Sequence, residues 1–462
     1  MQGSQRQGAG RVGRQLPVLG LFVVCATLLV GLGLPGSAQG AAPRAPSHVL
    51  RAALPVGAIK HIFVIEFENE GFDATFGSGS PATYLNGVLR KHGELLANYY
   101  AIGHDSLDNY IAEISGQAPT LDTQADCADN GFSFADVTPG TPTPDPATDP
   151  GQVTGSGCVY PASVATIAAQ LDHKDPPNPK THLAAWRGYD QDMGNSPSRD
   201  GGTPDPSGGT DCAHPASGAT DTAEVATATD QYTTRHNPFV WFHSVIDNTA
   251  ECVANVVPLG ILSPSGTPEP SGHLARDLSS VATTPRFAFI TPNLCNDGHD
   301  DPCAGPDSTG GSAGGLVAAD QFLRAWMPLI LRSPAYREGN TLVVITFDEA
   351  DVGSSDPNRA AACCAEQPGL NTQAPGDAAD TSDVAPGGGQ VGALLMNPKY
   401  LVVGSTDATG SYNHYSALRS YEDLLGLTAG GSDGEGHLGF AASAGLRPFG
   451  PDVFNSGARP GR

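Results

Sequence analysis

The chain has 462 residues, including 58 glycines and 39 prolines, and 39% of its residues are hydrophobic. This hydrophobic content can bury a core over roughly two to four domain lengths, which excludes a wholly disordered chain. The 48 acidic residues outnumber the 24 basic ones and give a formal net charge of −24. Such a surface repels a phosphate backbone, so we expect no nucleic-acid partner.

Residues 1–40 predict a signal peptide for secretion. Three arginines and no acid precede an apolar stretch over residues 16–34, and small residues follow up to a cleavage point near Gly40. An uncleaved anchor is the alternative, because the apolar stretch approaches the length of a membrane span. After cleavage we expect an extracellular protein without stable membrane insertion.

The cysteines support the same compartment. Nine cysteines minus Cys25 of the predicted signal leave eight, an even number that predicts up to four disulfides in an oxidising environment. Adjacent Cys363 and Cys364 either bridge each other or reach elsewhere. The pairings with short loops are Cys127 with Cys158, Cys212 with Cys252, and Cys295 with Cys303.

Short, continuous apolar runs predict strands that are buried on both faces. Helical patterns over residues 318–330 and 414–425 accompany them. This order favours an α/β fold with a mostly parallel central sheet flanked by helices. The predicted strands are Ile59–Phe67, Arg286–Thr291, Thr341–Phe347 and Val391–Met396.

We expect one catalytic domain over residues 55–450, after a linker over 41–54 and before a tail over 451–462. Two inserts rich in proline and glycine, near 138–150 and 195–218, lack the apolar residues that build a core. They predict surface excursions from the domain.

Acidic and amide side chains follow the predicted strands. Glu68 and Asn69 close the first strand, Asp297 follows the second, and Asp348 and Glu349 close the third. In open α/β sheets, ligands bind beyond the carboxyl ends of the strands. Carboxylates gathered there repel each other unless a cation lies among them. The sequence therefore predicts one divalent metal ion, with calcium, manganese, zinc and iron all left open.

Six polar blocks cover residues 68–72, 103–110, 236–239, 292–300, 346–349 and 412–416. In this order they resemble a family of secreted phosphoesterases that contains bacterial acid phosphatases and phospholipases C. That family resembles the alkaline phosphatase superfamily in fold. Asp105 and Asp108 stand where the family usually has proline.

The resemblance implies roles for particular residues. Asn69 would contact the phosphate as well as the metal, Asp297 would orient or ligate beside His299, and His414 is a further candidate with a structural role as its alternative. The implied metal ligands are Glu68, Asn69, Asp348 and Glu349. The imidazoles implied around the transferred phosphoryl group are those of His104, His236 and His299.

Related enzymes use a serine or threonine hydroxyl at the start of a helix as the nucleophile. Residues 159–171 precede residues 186–194, which resemble the stretch that follows the nucleophile in that family. The resemblance therefore implies Thr166 for this role, with Ser163 second. Free amides at a helix N-terminus would stabilise an anion on either hydroxyl. The alternative is that both hydroxyls only cap or open that helix.

These predictions describe a secreted, metal-dependent hydrolase of small phosphate esters, a broad-specificity acid phosphatase that forms a phospho-enzyme and works best at acidic pH. Phospholipase C or phosphodiesterase activity is the runner-up, since a strongly acidic protein suits an anionic membrane surface poorly. A secreted metal-binding protein without activity is the third reading. The sequence leaves the oligomeric state open.

Overall fold

The structure is a computed structural model that describes residues 51–127, 134–140, 143–176, 185–220, 226–364, 366–370, 372 and 387–454. The predicted signal peptide and most of the predicted linker and tail lie outside these residues. None of the helices in these ranges combines the length and apolar character that a membrane span requires.

The described residues contain one large sheet and three short strand pairs. The large sheet has the order β13-β2-β12-β11-β1-β10-β6-β9. β12 is antiparallel to both of its neighbours, and the other five pairings are parallel. The predicted mostly parallel sheet is therefore confirmed. The strands are β1 His61–Phe67, β2 Glu94–Leu96, β3 Tyr99–Tyr100, β4 Thr138–Pro139, β5 Gly155–Ser156, β6 Trp186–Asp190, β7 Thr203–Pro204, β8 Thr210–Asp211, β9 Val256–Pro258, β10 Phe287–Thr291, β11 Thr341–Phe347, β12 Ala393–Met396, β13 Ser405–Asp407 and β14 Tyr412–Asn413.

All four predicted strands are present, as β1, β10, β11 and β12, although β1 begins at His61 and not at Ile59. Every residue of β1 and of β11 is buried. Their β-branched and aromatic side chains suit a pleated surface that is covered on both faces.

The helices of the described residues include both predicted ones. α9 extends the predicted 318–330 by a few residues at each end, and α11 has the predicted bounds. The helices are α1 Phe72–Phe76, α2 Thr83–Gly87, α3 Ser106–Ser115, α4 Ile167–Lys174, α5 Pro197–Asp200, α6 His243–Ile246, α7 Thr249–Asn255, α8 His273–Asp277, α9 Gly315–Arg332, α10 Pro334–Arg337 and α11 His414–Leu425.

Helices cover both faces of the sheet. The ring of Phe322 in α9 packs edge-on against Phe67 of β1, with centroids 5.9 Å apart. Aromatic rings of α3 and α11 pack instead on Phe289 and Phe287 of β10. Because side chains alternate along a strand, the β1–β10 register places these two residues on the face opposite to Phe67.

The register of the central strands brings distant acids to one edge of the sheet. β1 and β11 align Phe67 with Phe347, so Glu68 and Asp348 follow at the same level. The backbone N–H of Asp348 donates to the carbonyl of Phe67 at 2.8 Å, and that of Glu68 donates to the carbonyl of Asp297 at 2.9 Å. Parallel pairing therefore brings Glu68, Asp297 and Asp348 to the same edge of the sheet.

The predicted disulfides are all present, and Cys363 and Cys364 bridge each other. These bonds join Cys127 to Cys158, Cys212 to Cys252, Cys295 to Cys303 and Cys363 to Cys364.

One of the two inserts contributes to the core, which corrects the prediction for residues 195–218. Cys212 and Ala213 are buried in the main hydrophobic cluster. The cause is the disulfide to Cys252 of α7, which holds the hairpin of β7 and β8 against the domain. The described residues of the 138–150 insert are mostly exposed.

His437 joins the end of α11 to the loop that follows it. Its Nδ1 lies 2.6 Å from a carboxylate oxygen of Asp433, and its Nε2 lies 3.2 Å from one of Asp423. Burial lowers the pKa of His437, but the hydrogen bonds with Asp423 and Asp433 outweigh it and raise the pKa to about 9.

Because this pKa lies above its ordinary value of 6.5, the charged imidazole stabilises the fold below that pH, and the stabilisation is lost as the pH rises through about 9. We expect the free energy of unfolding to fall by about 2 kcal/mol over this interval. In the variant His437→Gln the free energy of unfolding should not show this decrease with pH. In His173→Gln, a change at an exposed position, the decrease should remain. Urea denaturation across the interval measures both, and an equal slope in the two variants would contradict the assignment.

Candidate active site

A buried carboxylate that accepts two hydroxyl hydrogen bonds lies at the centre of the site. Glu68 follows β1 directly and is 1% exposed. The hydroxyl of Ser106, the first residue of α3, donates to its Oε2 at 2.7 Å, and that of Tyr110 donates to its Oε1 at 2.7 Å. Residues four apart share one face of a helix, so α3 presents both donors to the same carboxylate.

The other predicted ligands are linked to one another beside Glu68. The backbone N–H of Asn69 donates to Oδ1 of Asp348 at 3.0 Å, and its side-chain amide donates to Oε1 of Glu349 at 3.2 Å. The N–H of Glu349 also donates to Asp348, at 2.7 Å. The ring of His104 pairs with the second oxygen of Glu349. The structure thus brings the predicted metal ligands and one predicted histidine together.

His236 lies on the other side of Glu68. Its ring stacks on Tyr110 with centroids 5.4 Å apart. Its Nε2 is 3.3 Å from Glu68 and its Nδ1 is 3.6 Å from Asp297. Burial lowers the pKa of His236 well below its ordinary value, so this ring is neutral.

His299 differs from His236 because its side chain is half exposed. Its Nδ1 lies 3.1 Å from Asp300, and its backbone N–H donates to Asp297 at 3.0 Å. The hydrogen bond with Asp300 raises the pKa of His299 to about 9 against the effect of burial. His299 is therefore a cationic group at the mouth of the site.

His414 supports the site from behind. Its Nε2 lies 2.8 Å from the backbone carbonyl of Asp348, and its Nδ1 lies 3.2 Å from Glu113 and from the hydroxyl of Tyr99. These contacts match the structural alternative for His414, which holds the turn after β11.

The donor atoms of this cluster, carboxylate oxygens and ring nitrogens, are of the chemical type that binds a divalent cation. In the described part of the chain, several of its buried atoms have no hydrogen-bond partner, namely Asp348 Oδ2, Asp297 Oδ2 and both ring nitrogens of His236. Burial is the main cause, and repulsion from neighbouring carboxylates the second, that raises the pKa values of Glu68, Asp348 and Glu349 well above their ordinary values. A cation would pair these atoms and offset this repulsion.

The two predicted nucleophiles lie elsewhere. Thr166 is the N-cap of α4, where its hydroxyl accepts the N–H of Ala169 at 3.2 Å. It lines a separate cleft together with Asp172 and Glu251. Ser163 is exposed in the preceding turn. The structure gives Thr166 the capping role that the sequence left as the alternative. The serine or threonine hydroxyl that lies at Glu68 is instead that of Ser106.

The sequence contains a signal for Ser106 that the prediction missed. Ser106 stands in the block 103–110 and opens a helix, which is the position that the nucleophile occupies in related enzymes. The preceding Asp105 has a φ of 65°, and Asn69 has a φ of 47°. Proline cannot adopt a positive φ, so the departure from proline at Asp105 permits this backbone. Such unusual conformations cluster at functional sites.

A further pair, Asp126 and Arg235, was also missed. Asp126 accepts the N–H of Leu107 in the first turn of α3 at 2.8 Å, and its other oxygen lies 3.4 Å from Nε of Arg235. The start of α3 is therefore occupied by a carboxylate, and Arg235 adds a positive charge beside it.

No family model matches the chain. The chain is similar in sequence to fungal acid phosphatases. It is 27% identical over 305 residues to the phosphate-repressible acid phosphatase of Penicillium chrysogenum, which covers 66% of this chain and 52% of that protein. It is 26% identical over 333 residues to an acid phosphatase of Aspergillus niger, which covers 70% of this chain and 58% of that protein. The chain spans about half the length of the curated relatives it matches. These relatives confirm the predicted resemblance to acid phosphatases.

Two solved structures overlap with this one. A protein in the alkaline phosphatase superfamily from Vibrio parahaemolyticus is 11% identical, with a TM-score of 0.42 over 84% of this chain and 73% of that chain. The lipoteichoic acid synthase LtaP from Listeria monocytogenes is 9% identical, with a TM-score of 0.44 over 87% of this chain and 82% of that chain.

Proposed function

We propose that the chain is a secreted acid phosphatase that hydrolyses small phosphate monoesters, with Ser106 as its nucleophile. The observation that carries the proposal is the 2.7 Å hydrogen bond from Ser106 to the buried carboxylate of Glu68. The similarity to fungal acid phosphatases supports the class of reaction. The disulfides support an extracellular location, since they persist in oxidising compartments.

Four residues would hold the divalent ion, namely Glu68, Asn69, Asp348 and Glu349, with His236 and Asp297 beside them. A bound cation supplies positive charge for the phosphoryl oxygens and favours loss of the serine proton. Its identity stays open among calcium, manganese, zinc and iron.

Ser106 is oriented by its own hydrogen bond. Glu68 Oε2 accepts from the serine hydroxyl, and Tyr110 fixes the other carboxylate oxygen, so the carboxylate cannot rotate away. Because Glu68 accepts the hydrogen bond from the Ser106 hydroxyl, its carboxylate is placed to take the serine proton. The serine oxygen then bonds to phosphorus while the bond from phosphorus to the leaving oxygen breaks.

His299 is suited to donate a proton to the leaving oxygen, because it is cationic and lies at the open side of the site. Arg235 supplies a second positive charge for the nonbridging oxygens. Water then attacks the phosphoserine, inorganic phosphate leaves, and the serine hydroxyl regains a proton. With a pKa of about 9, His299 stays protonated at acidic and neutral pH, so we expect the loss of this proton to slow the reaction only as the pH rises through about 9.

The variant Ser106→Ala should lower kcat for p-nitrophenyl phosphate by about a thousandfold or more, because no other hydroxyl contacts Glu68 Oε2 in the described residues. Thr166→Ala and Ser163→Ala are the matched controls and should keep kcat within about twofold. Acid quenching during turnover should trap a phosphoserine in the controls. Wild-type turnover by Ser106→Ala would refute the assignment.

The variant His299→Gln should affect substrates according to their leaving group. An alkoxide needs a proton, so kcat for glycerol phosphate should fall by about a hundredfold. Nitrophenolate leaves without one, so kcat for p-nitrophenyl phosphate should fall by less than about tenfold. His92→Gln, at an exposed position, serves as the control. Equal losses on the two substrates would count against His299 as the acid.

Chelation should abolish turnover of p-nitrophenyl phosphate, and one of the four candidate ions should restore it, because the clustered acids need a cation. The same samples tested on p-nitrophenyl phosphorylcholine distinguish the runner-up. Faster turnover of that diester would favour phospholipase C or phosphodiesterase activity. Turnover of neither substrate with any ion would favour the metal-binding protein without activity.

A further inference from the structure

A second group of ligand atoms lies beside β9, the outer strand of the sheet. Asp205, Asp211 and His273 each offer one atom, and these atoms all lie within 4.8 Å of one another. Among the described residues, no other group of three or more histidine, cysteine or acidic side chains brings its ligand atoms this close together. Glu68 and Asp348 lie elsewhere, since they follow central strands of the sheet.

The three side chains come from two separate parts of the chain. Asp205 and Asp211 belong to the hairpin of β7 and β8, and His273 is the first residue of α8. Nε2 of His273 lies 2.8 Å from Oδ2 of Asp205 and 3.8 Å from Oδ1 of Asp211. A tetrahedral zinc site places its nitrogen and oxygen ligands about 3.3 Å apart. The two measured separations lie on either side of that value, so small side-chain movements would form such a site.

Asp211 provides an independent indication of a ligand. Its side chain is 9% exposed, and its Oδ1, which faces His273, is a buried atom without a hydrogen-bond partner in the described structure. A buried carboxylate oxygen without a partner destabilises the folded state unless a hydrogen-bond donor or a cation pairs with it. Burial and the neighbouring Asp205 also raise the pKa of Asp211, to about 7.

Arg276 competes with a cation for His273. Its guanidinium donates to Nδ1 at 2.5 Å, so Nε2 carries the ring proton and donates to Asp205. A cation bound by Nε2 requires this proton to leave Nε2 and Arg276 to move aside. Arg276 is exposed, so its side chain has room to move.

We propose that Asp205, Asp211 and His273 form a structural site for a divalent transition metal of the zinc or manganese type. Two carboxylates and one imidazole suit these ions. The site would join the hairpin of β7 and β8 to α8, next to the disulfide from Cys212 to Cys252. This inference does not rest on the proposed phosphatase activity.

Metal content tests the site directly. Chelator-treated full-length protein is loaded with Zn²⁺ alone or Mn²⁺ alone, freed of unbound metal, and analysed for ions per chain. We expect His273→Gln and Asp211→Asn each to bind one equivalent fewer than wild type, while the exposed control His173→Gln matches wild type. The variant Asp348→Asn alters the proposed catalytic cluster and keeps Asp205, Asp211 and His273. If only this variant loses metal, the lost ion is that of the catalytic cluster and the proposed structural site binds none.

Thermal unfolding gives a second measurement on the same samples. Zn²⁺ should raise the unfolding midpoint of wild type and of Asp348→Asn, because an ion bound by the native state stabilises it. It should raise the midpoint of His273→Gln by less than that of wild type, because this variant keeps only the proposed catalytic ion. Equal metal content and equal midpoint shifts in wild type and His273→Gln would overturn the proposal.

The variant Arg276→Gln keeps all three ligands, so its result does not depend on tolerance of a ligand change. Removing the competing donor and its positive charge should tighten Zn²⁺ binding about three- to tenfold. Competition with a chromophoric chelator measures this affinity, with Asp348→Asn as the background to isolate the site. Unchanged or weaker Zn²⁺ binding by Arg276→Gln would refute the role of His273 as a ligand.

Discussion

The burial of carboxylates at one edge of the sheet is the constraint on which the site depends. Parallel pairing of β1 with β11 puts Glu68 and Asp348 at the same level, where water has little access. Ionised groups in such surroundings need hydrogen bonds, counter-charges or protons. The surrounding elements supply part of this need through Ser106, Tyr110 and Asn69. The oxygens that remain unpaired account for the affinity that we expect for a cation.

The same constraint explains the unusual backbone around the site. Asn69 and Asp105 adopt positive φ values on either side of the hydrogen bond from Ser106 to Glu68. A regular continuation of β1 would carry Asn69 away from Asp348 and Glu349, whose oxygens its backbone and side-chain amides reach in the structure. The conformational cost of these two residues is thus tied to the placement of polar groups around the carboxylates.

The sheet and the acids were predictable because both depend on local patterns. The runs that form β1 and β11 are apolar at five of their seven positions without alternating, which is typical of a strand covered on both faces. Glu68, Asp348 and Glu349 come directly after those runs, so predicting the strands also located the acids. The disulfides could be predicted for a similar reason, since each cysteine has a partner that is close in the sequence.

The nucleophile and the charge of each histidine depend on packing that no local pattern encodes. Ser106 and Thr166 both stand at the start of a helix, and only the packing of α3 against the end of β1 distinguishes them. His236 and His299 are the same residue type, yet burial keeps one neutral while Asp300 keeps the other charged. The 195–218 insert resisted prediction for a related reason, because its buried residues are held by a partner outside it.

The reversed direction of β12 gives the site an asymmetric shape. From β11 through β1, β10 and β6 to β9, consecutive strands point their carboxyl ends to the same edge, but β12 sends its amino-terminal end there. On that flank the chain that leads into β12 contacts the start of α1, where the carbonyl of Gln390 accepts the N–H of Phe72. Toward β6, in contrast, Asp190 and Gln191 line an enclosed hollow beside His236. The two flanks of the site are therefore lined differently, by main chain toward β12 and by side chains toward β6. Because a point substitution changes side chains and leaves the main chain in place, the flank toward β6 is the one that substitutions can reshape.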